Sequence, residues 1–551
     1  MRAIIDRQLF SSCAKTGVLG LALIGLAGCT AGESSPGTVT SGGSAALSGP
    51  LVFVNNTGDR TLTTVALRGD SGNGIVNTLG GGTPGVFGNV ALGDMQFSLG
   101  EWVFVNLSAT NQVATIDPLT GATPIHEVNL TAGTRPVHLY RDPTDREVMW
   151  IMNDGNNAAG TPNQGDDLIN CVPAVPVPGQ DYGSSVTIIH NSHLGPGATP
   201  PTVERTVCVL ADGHKVSAFS RPIANDPNIP RRVFVSSTTA GEIAVIDNTP
   251  RPGLNPDWRL LNRIDLCDSV KEALRPTPAT CDDESVTPLT TAFTPNNSNP
   301  HGIRFSQLTG KVYSIQESYR TIVEVDPATL AVTLVADLST TNYTAYGISP
   351  DGRFLLLRGT SAAPFGTRLG IIDLSVAGNP RTIHDLTIPE LDGAGPGAFR
   401  FSPDGQRFFI VASNTSTTKK DFLFAFDTSN LTANPPSMTL LRSIGLVSTL
   451  DGRHSFDVLA QRPTGSPVGT TSQATYLVVS NGTDNSVSII NVADYRIKQT
   501  VPVGTTPGAV MVYYPGSVVA GGQATSSLTG GYQGPSVPLL PERLDDHGMP
   551  E

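Results

Sequence analysis

Charged side chains are scarce in this sequence. Asp, Glu, Lys and Arg make up 15% of its 551 residues, and acidic residues outnumber basic ones, which gives a formal net charge of −12. A nucleic-acid-binding surface requires clustered Lys and Arg. The composition therefore predicts that the chain has no nucleic-acid partner.

Long apolar runs and the common enzyme motifs are missing as well. The apolar run at residues 18–27 is shorter than the about 20 residues that a membrane-spanning helix needs. The sequence has no G-x-S-x-G elbow, Walker loop, H-E-x-x-H or dinucleotide fingerprint in a usable context. It also has no C-x-x-C-H, which excludes covalent c-type haem. These gaps leave the catalytic residues unassigned and favour a protein that is not an enzyme.

Turn-forming residues and a repeated hairpin pattern are abundant instead. The 58 Gly and 43 Pro suit an all-β protein with many turns. At residues 476–492 an apolar stretch, a polar turn and a second, alternating stretch predict two antiparallel strands. Similar hairpins begin near Val52, Val103, Val148, Val233, Val312, Phe354, Phe408 and Tyr476.

The ends of these hairpins carry a second regularity. Six of the second strands close on a residue whose side chain can bond the following backbone, as suits a strand leading into a turn. They are Asp117, Asp247, Asp326, Asp373, Asp427 and Asn491. Another short strand precedes most hairpins, often after a Pro/Gly turn, and a fourth follows. Four short strands every ~40–55 residues are typical of β-propeller blades.

The strand 476–481, Tyr-Leu-Val-Val-Ser-Asn, with Asn-Ser-Val-Ser-Ile-Ile-Asn at 485–491, resembles the YVTN-type β-propeller family. Looser versions extend over roughly residues 50–515. The resemblance implies a single propeller of four-stranded blades over residues 51–515. Eight hairpins favour eight blades, with seven as the alternative. Residues 507–513 form a strand with no hairpin after it, so they are predicted to supply the inner strand of the first blade and close the ring.

The N-terminus predicts an exported protein. A positive start and the apolar run lead to residues 26–29, Leu-Ala-Gly-Cys, which resemble the lipobox of bacterial lipoproteins. The resemblance implies that the signal peptide, residues 1–28, is removed and that Cys29 carries a lipid. Thr30 after it favours the outer membrane, facing either the periplasm or the cell surface. The alternative is a cleaved secretory signal with an incidental Cys. Residues 29–50 are predicted to form a flexible tether and 516–551 a poorly ordered tail.

Four cysteines remain in the predicted mature body, and in an exported protein an even number indicates disulfides. Proximity in sequence favours Cys171–Cys208 and Cys267–Cys281, although three pairings are open. The cysteines lie in or near two insertions, residues 155–183 and 249–299, that interrupt the repeat. Long loops inside compact folds tend to be functional or disordered, and a cysteine in each insertion predicts an ordered, disulfide-linked lobe.

Histidines provide the candidate site. Four of the nine, at or just before predicted inner strands of blades three, four, five and eight, would converge on one mouth of the channel: His138, His214, His301 and His454. Neutral imidazole is a common ligand of Cu, Zn and Fe. Because blade eight lies across the ring, the site reduces to the first three unless His454 points inward. The alternative is that these rings bond only local backbone or water.

A Ca²⁺ site is a second metal hypothesis. Residues 154–157, Asp-Gly-Asn-Asn, and Asp166 with Asp167 offer oxygen ligands, but their spacing does not match an EF-hand, so a solvated loop is favoured. The acidic run 282–284 is also interpreted as solvated.

Three functions follow from these features. The favoured one is a lipid-anchored binding platform that holds a protein or small-molecule ligand at the mouth carrying the insertions. The second is a metal-dependent redox enzyme, or an accessory to one, with His ligands at that mouth. The third, implied by the family resemblance, is a lactonase-like hydrolase that uses a divalent ion.

Overall fold

The structure is a computed structural model. It describes residues 50–80, 87, 90–97, 102–117, 125–145, 148–155, 184–190, 200–209, 213–251, 255–279, 281, 295–362, 365–378, 380–386, 388–414, 420–448, 454–461, 473–513, 518–519 and 523–524. The predicted signal peptide and tether, residues 1–28 and 29–50, lie outside these ranges except for Pro50, so Cys29 does too. No helix among the described residues is long and apolar enough to cross a membrane.

Within those ranges, eight four-stranded antiparallel sheets follow one another as the blades of a β-propeller. From the inner strand outward, blade one consists of β32 (Pro507–Tyr513), β1 (Leu51–Asn56), β2 (Thr61–Ala66) and β3 (Gly74–Gly80), and blade two consists of β4 (Met95–Phe97), β5 (Val103–Leu107), β6 (Gln112–Ile116) and β7 (Ile125–Asn129). Blade three consists of β8 (Pro136–Arg141), β9 (Val148–Asn153), β10 (Ser184–His190) and β11 (Thr202–Val209), and blade four consists of β12 (Lys215–Ser220), β13 (Arg232–Ser237), β14 (Glu242–Asp247) and β15 (Leu260–Asp265).

Blades five to eight repeat the arrangement. Blade five consists of β16 (Pro300–Phe305), β17 (Val312–Gln316), β18 (Thr321–Val325) and β19 (Val332–Asp337), and blade six consists of β20 (Tyr343–Ile348), β21 (Phe354–Ala362), β22 (Phe365–Asp373) and β23 (His384–Leu386). Blade seven consists of β24 (Ala394–Phe401), β25 (Arg407–Asn414), β26 (Phe422–Asp427) and β27 (Thr439–Gly445), and blade eight consists of β28 (Phe456–Gln461), β29 (Gln473–Asn481), β30 (Ser486–Asn491) and β31 (Arg496–Pro502). The all-β propeller and the count of eight blades are confirmed, and each predicted hairpin supplies the second and third strands of one blade.

The ring closes as predicted, through the last long strand. In blade one β32 pairs antiparallel with β1, with Val512 opposite Val52 and Met511 opposite Phe53. Tyr513 is buried between the edges of Phe53 and Phe97. On the other side, the Asp457 carboxylate of blade eight accepts a 2.8 Å hydrogen bond from the Val512 backbone N–H. The C-terminal strand therefore joins the first blade to both of its neighbours.

The Asn that ends the second strand of several blades has a defined role. In blades one, three and eight its side-chain Nδ2 donates to two hydroxyls on the third strand, at 2.8–3.1 Å, which ties the hairpin together beneath the turn. The sets are Asn56 with Thr61 and Thr63, Asn153 with Ser185 and Thr187, and Asn481 with Ser486 and Ser488. This contact gives a physical reason for Asn at position 481, the last residue of the Tyr-Leu-Val-Val-Ser-Asn strand.

The acidic or amide residues at the ends of third strands behave as expected. Five of them accept a hydrogen bond from the backbone N–H two residues later, at 2.7–3.1 Å, so the side chain fixes the first turn outside the strand. They are Asp247, Asp326, Asp373, Asp427 and Asn491. For the sixth, Asp117, the residues that follow lie outside the described ranges.

Asp326 shows how such a turn responds to pH. Burial raises its pKa, but the Lys311 ammonium and the N–H groups of Thr329 and Ala328 outweigh that effect and lower the pKa to about 2. Its contribution to stability is therefore complete above the unfolded pKa of about 3.9 and is lost as the pH falls towards 2.

Replacing Asp326 by Asn is expected to lower the free energy of unfolding by about 1 kcal/mol at pH 7, because a charge-assisted bond is lost. Urea unfolding from pH 7 down to pH 2 should show that the difference in free energy of unfolding between wild type and Asp326→Asn becomes smaller below pH 4. Asp484→Asn, at an exposed position, is the control. A gap that does not change with pH would contradict this account.

A polar chain lies buried between blades three and four. Asp142, after β8, is fully buried and accepts from Trp150 Nε1 at 3.1 Å and from Asn248 Nδ2 at 2.7 Å. Asn248 in turn accepts from Trp258 Nε1 at 3.1 Å. The other oxygen of Asp142 accepts from the Thr144 hydroxyl and from two backbone N–H groups. One carboxylate thus connects the two blades and orients two tryptophans.

The two insertions differ in how much of them is described. The first, 155–183, connects β9 to β10, and of it only Gly155 lies in the described ranges. The second, 249–299, includes a regular strand, β15, so the irregular part is shorter than predicted. This part carries a short helix, α1 (Ser269–Glu272), and the predicted Cys267–Cys281 disulfide.

The remaining cysteine and the C-terminal residues complete the description. Cys208 is disulfide-bonded, while Cys171, its predicted partner, lies outside the described residues. Of the predicted tail, 516–551, the structure describes one short pair of strands, β33 (Val518–Val519) and β34 (Gln523–Ala524).

Candidate functional site

Three of the four predicted histidines meet at one mouth of the propeller. His138 lies in β8, His214 stands just before β12, and His301 lies in β16, so they come from the inner strands of three consecutive blades. The Nε2 atoms of His138 and His214 are 3.1 Å apart. The rings of His214 and His301 are edge to face, with centroids 5.1 Å apart.

Each of these imidazoles has a carboxylate at its other nitrogen. Nδ1 of His138 is 3.5 Å from Asp94 Oδ2, Nδ1 of His214 is 3.1 Å from Asp154 Oδ2, and Nδ1 of His301 is 2.7 Å from Glu317 Oε1. An ionised carboxylate only accepts hydrogen bonds. These contacts favour the tautomer with the proton on Nδ1, which leaves Nε2 as a lone-pair donor.

Backbone groups hold two of the carboxylates in place. Asp94 Oδ1 accepts from the N–H of Met95, and Asp94 Oδ2 accepts from the N–H of Leu139 in the next blade, at 2.9 and 3.2 Å. Asp154 Oδ1 accepts from the N–H of Lys215, also one blade further, at 3.2 Å. Because each carboxylate spans a blade boundary, the fold fixes both ring directions.

The pairing of His138 with His214 has an electrostatic consequence. With Nδ1 protonated in both rings, two Nε2 lone pairs face each other at 3.1 Å. Two acceptors at this distance repel unless a proton or a cation lies between them. Either a ring proton shared in an N–H···N hydrogen bond or a cation at this point would remove that repulsion.

The spacing also matches a metal ion. Two nitrogens each about 2.0–2.1 Å from one zinc ion and 3.1 Å apart subtend ~98° at the metal, between the octahedral and tetrahedral values. Across the part of the chain that the structure describes, no group of three or more His, Cys, Asp or Glu is already arranged as a metal site. His138 and His214 thus form an ordered pair, and a third ligand requires His301 to turn towards them.

The three rings differ in how far they are exposed. The His138 side chain is 2% exposed, whereas those of His214 and His301 are 22% and 15% exposed. His138 is therefore the most buried of the three rings.

His454 lies elsewhere. It precedes β28 in blade eight, as predicted, but its Nε2 is 3.0 Å from Asp421 Oδ2 and its Nδ1 is 2.5 Å from the Ser480 carbonyl. Both His454 and Asp421 are buried. The structure does not bring this ring to the other three, and its contacts stabilise the boundary between blades seven and eight.

Of the side chains proposed for the calcium site, the structure describes only that of Asp154. The two oxygens of Asp154 are engaged by His214 and the Lys215 N–H. Asn157, Asp166, Asp167 and residues 282–284 lie outside the described ranges.

Sequence reasoning missed Asp94 and Glu317 and assigned Asp154 to a different site. A signal for Asp94 was present, because it directly precedes the inner strand of blade two, the position that His214 occupies in blade four. Glu317 follows the second strand of its blade, as Asp154 does. A search for carboxylates at these two repeat positions would have found all three.

Comparison with known proteins gives the fold alone. No family model matches the sequence, and neither does any curated protein. Solved structures that are similar include the periplasmic gluconolactonase PpgL of Pseudomonas aeruginosa, with 14% identity, a TM-score of 0.44 and coverage of 85% of this chain and 99% of that one. Apo AztD of Citrobacter koseri has 13% identity, a TM-score of 0.43 and coverage of 85% and 98%. Hydrazine synthase of Kuenenia stuttgartiensis has 13%, 0.39, and 69% and 90%. Similarity at this level carries no information about a ligand or an activity.

Proposed function

We propose that this protein binds one divalent transition-metal ion, such as Zn²⁺ or Cu²⁺, at the mouth of its propeller. His138 and His214 are the paired ligands and His301 is the third. The observation that carries the proposal is the 3.1 Å approach of two Nε2 atoms whose Nδ1 partners are carboxylates. Imidazole suits Zn, Cu, Fe and Ni, whereas Ca²⁺ and Mg²⁺ prefer oxygen ligands.

The acidic partners are part of the proposed site. A ligating His commonly donates its other N–H to a carboxylate, which orients the ring and raises its basicity, and losing that partner costs 10–100-fold in metal affinity. Asp94, Asp154 and Glu317 occupy this position for the three rings. Three such contacts on three consecutive blades distinguish this arrangement from that of His454, whose two ring nitrogens both have protein partners, the Asp421 carboxylate and the Ser480 carbonyl.

Metal binding by the purified folded body tests the proposal. Protein stripped with a chelator and titrated with Zn²⁺ in a calorimeter is expected to bind one ion. His138→Ala and His214→Ala should each weaken binding at least about 100-fold, because neither remaining ring completes the pair. His301→Ala should weaken it by about tenfold, because His301 is the third ligand and the His138–His214 pair remains.

His384→Ala is the matched control, since His384 lies in the outer strand β23 of blade six and should leave binding unchanged. Wild-type protein that takes up no Zn²⁺, Cu²⁺, Co²⁺ or Ni²⁺ would defeat the proposal. Binding that survives both His138→Ala and His214→Ala would place the ion elsewhere.

A binding role at the same mouth agrees with the insertions. Gly155, where the first insertion starts, directly follows Asp154, and the second ends at Asn299, just before His301. Both additional segments thus connect to the elements that carry the proposed ligands. We therefore propose a metal-binding platform, with a protein or small-molecule partner approaching this mouth, in preference to a redox enzyme or a lactonase.

We also propose that the protein is exported and anchored to the outer membrane through a lipid on Cys29. The support is the residue pattern at 26–29 after a positive, apolar start. Cells fed radioactive palmitate are expected to label the wild-type protein and not Cys29→Ala. Equal labelling of the two would refute the anchor.

A further inference from the structure

The disulfide-closed lobe, residues 267–281, is attached to the part of the site that carries His301. It contains α1, which begins after Asp268, whose side chain accepts from the N–H groups of Val270 and Lys271. Its attachment to the propeller includes hydrogen bonds from Arg275 Nη1 to the Ser318 carbonyl and from Asn297 Nδ2 to the Thr277 carbonyl, together with the side chain of Glu272, which is 2% exposed.

Glu272 uses both of its oxygens. Oε1 accepts from the Tyr319 hydroxyl at 2.5 Å and from the Asn297 N–H at 2.8 Å. Oε2 accepts from Asn297 Nδ2 and from the Ala279 N–H, each at 2.9 Å. Burial and the bond to Glu272 raise the pKa of Tyr319, so its hydroxyl stays protonated and donates. The carboxylate is thus satisfied by four donors from three segments.

Two of those segments carry the proposed metal site. Asn297 is four residues before His301, and Tyr319 is two residues after Glu317. The segments are also paired with each other, since the Glu317 N–H donates to the Asn299 carbonyl at 3.0 Å and the Ser318 N–H to the Ser298 carbonyl at 3.2 Å. Glu272 therefore holds together the segment that carries His301 and the segment that carries Glu317, the carboxylate paired with His301.

We infer that Glu272 is a positioning residue for the third metal ligand, acting through Asn297 and Tyr319 on His301 and Glu317. This inference rests on the proposed metal site. To become the third ligand, His301 has to turn towards the His138–His214 pair. The two backbone segments that support His301 during this turn are held together by Glu272. The disulfide-closed lobe then determines how readily the site takes its third ligand.

The test compares Glu272→Gln with wild-type protein in a wild-type and in a His301→Ala background. A Gln amide has one acceptor oxygen, and its NH₂ group faces donors where Glu272 has its second oxygen. Some of the four hydrogen bonds are therefore lost, and the two segments are held less tightly. Zn²⁺ affinity is expected to fall about tenfold in the wild-type background. In the His301→Ala background the same change should have less than about a twofold effect, because two residues that act through one ligand are not additive.

Hydrogen exchange of the metal-free protein supplies a second measurement. In Glu272→Gln, faster amide exchange is expected and should be confined to residues 295–301 and 317–319. Tyr319→Phe should show the same effect to a smaller extent. Because Tyr319→Phe is the milder change, it replaces Glu272→Gln if that variant does not fold. Glu390→Gln, at an exposed position on blade six, is the matched control and should match wild type in both measurements.

The outcomes separate the two proposals. Equal loss of affinity in both backgrounds, or faster exchange with unchanged affinity, would overturn the positioning role and leave the metal site standing. Wild-type protein that binds no metal would overturn the proposed function, and the positioning role with it.

Discussion

Deleting residues 507–513 is expected to abolish cooperative folding of the whole propeller. All seven residues of β32 are buried, and they pair with β1 while contacting blades two and eight. Each blade buries its faces only against its neighbours, so an open ring exposes two apolar blade faces and an unpaired edge. The loss should exceed about 5 kcal/mol, a large part of the 5–15 kcal/mol that stabilises a typical domain.

Circular dichroism melting and size-exclusion chromatography measure this effect. The truncated body should aggregate and show no cooperative transition at the wild-type melting temperature. Moving the same strand to the N-terminus, joined by a short linker ahead of Leu51, should restore the ring and the transition. A truncated protein that melts like the intact one would show that β32 is not needed for closure.

Asp142→Ala is expected to destabilise the protein by about 3–5 kcal/mol, the range seen when one partner of a buried charged network is removed. The change leaves Trp150 Nε1 and Asn248 Nδ2 without their acceptor at the boundary of blades three and four. Denaturant unfolding followed by tryptophan fluorescence reports it directly, because Trp150 and Trp258 end the chain of bonds.

Asn248→Ala provides the matched comparison. It removes one donor to Asp142 and the acceptor of Trp258, so it should cost less than Asp142→Ala. The double variant should cost less than the two single changes added together, because both act on one network. Strict additivity, or a loss below about 1 kcal/mol for Asp142→Ala, would mean that the carboxylate does not connect the two blades.

The propeller was predictable because its signals are local. A hairpin such as 476–491 shows its strands, its turn and its terminal Asn within 16 residues, and the repeat supplies the count. Closure followed from a leftover strand, since β32 has no hairpin after it. The second insertion, 249–299, was not predicted to contain a blade strand, but it includes β15.

The site was predictable only in part. The repeat position placed His138, His214, His301 and His454 at inner strands, but position does not determine where a ring points. His454 faces Asp421, a residue 33 positions away. The acidic partners Asp94 and Asp154 are 44 and 60 positions from their histidines, on neighbouring blades, so no short motif contains them. The sequence pattern does not show in which direction a side chain points across a blade boundary.

The closing strand pair also relates the proposed lipid anchor to the two mouths of the propeller. Leu51, where the described body begins its first strand, lies opposite Tyr513, and Asn56 lies opposite Pro507. Inner strands of all blades run in the same direction, so Pro507 is at the mouth that carries Pro136 and His138, and Leu51 is at the opposite mouth. The proposed lipid on Cys29 would hold the body from that opposite side, through the 21 residues 30–50. The mouth that carries the proposed metal site would then point away from the bilayer.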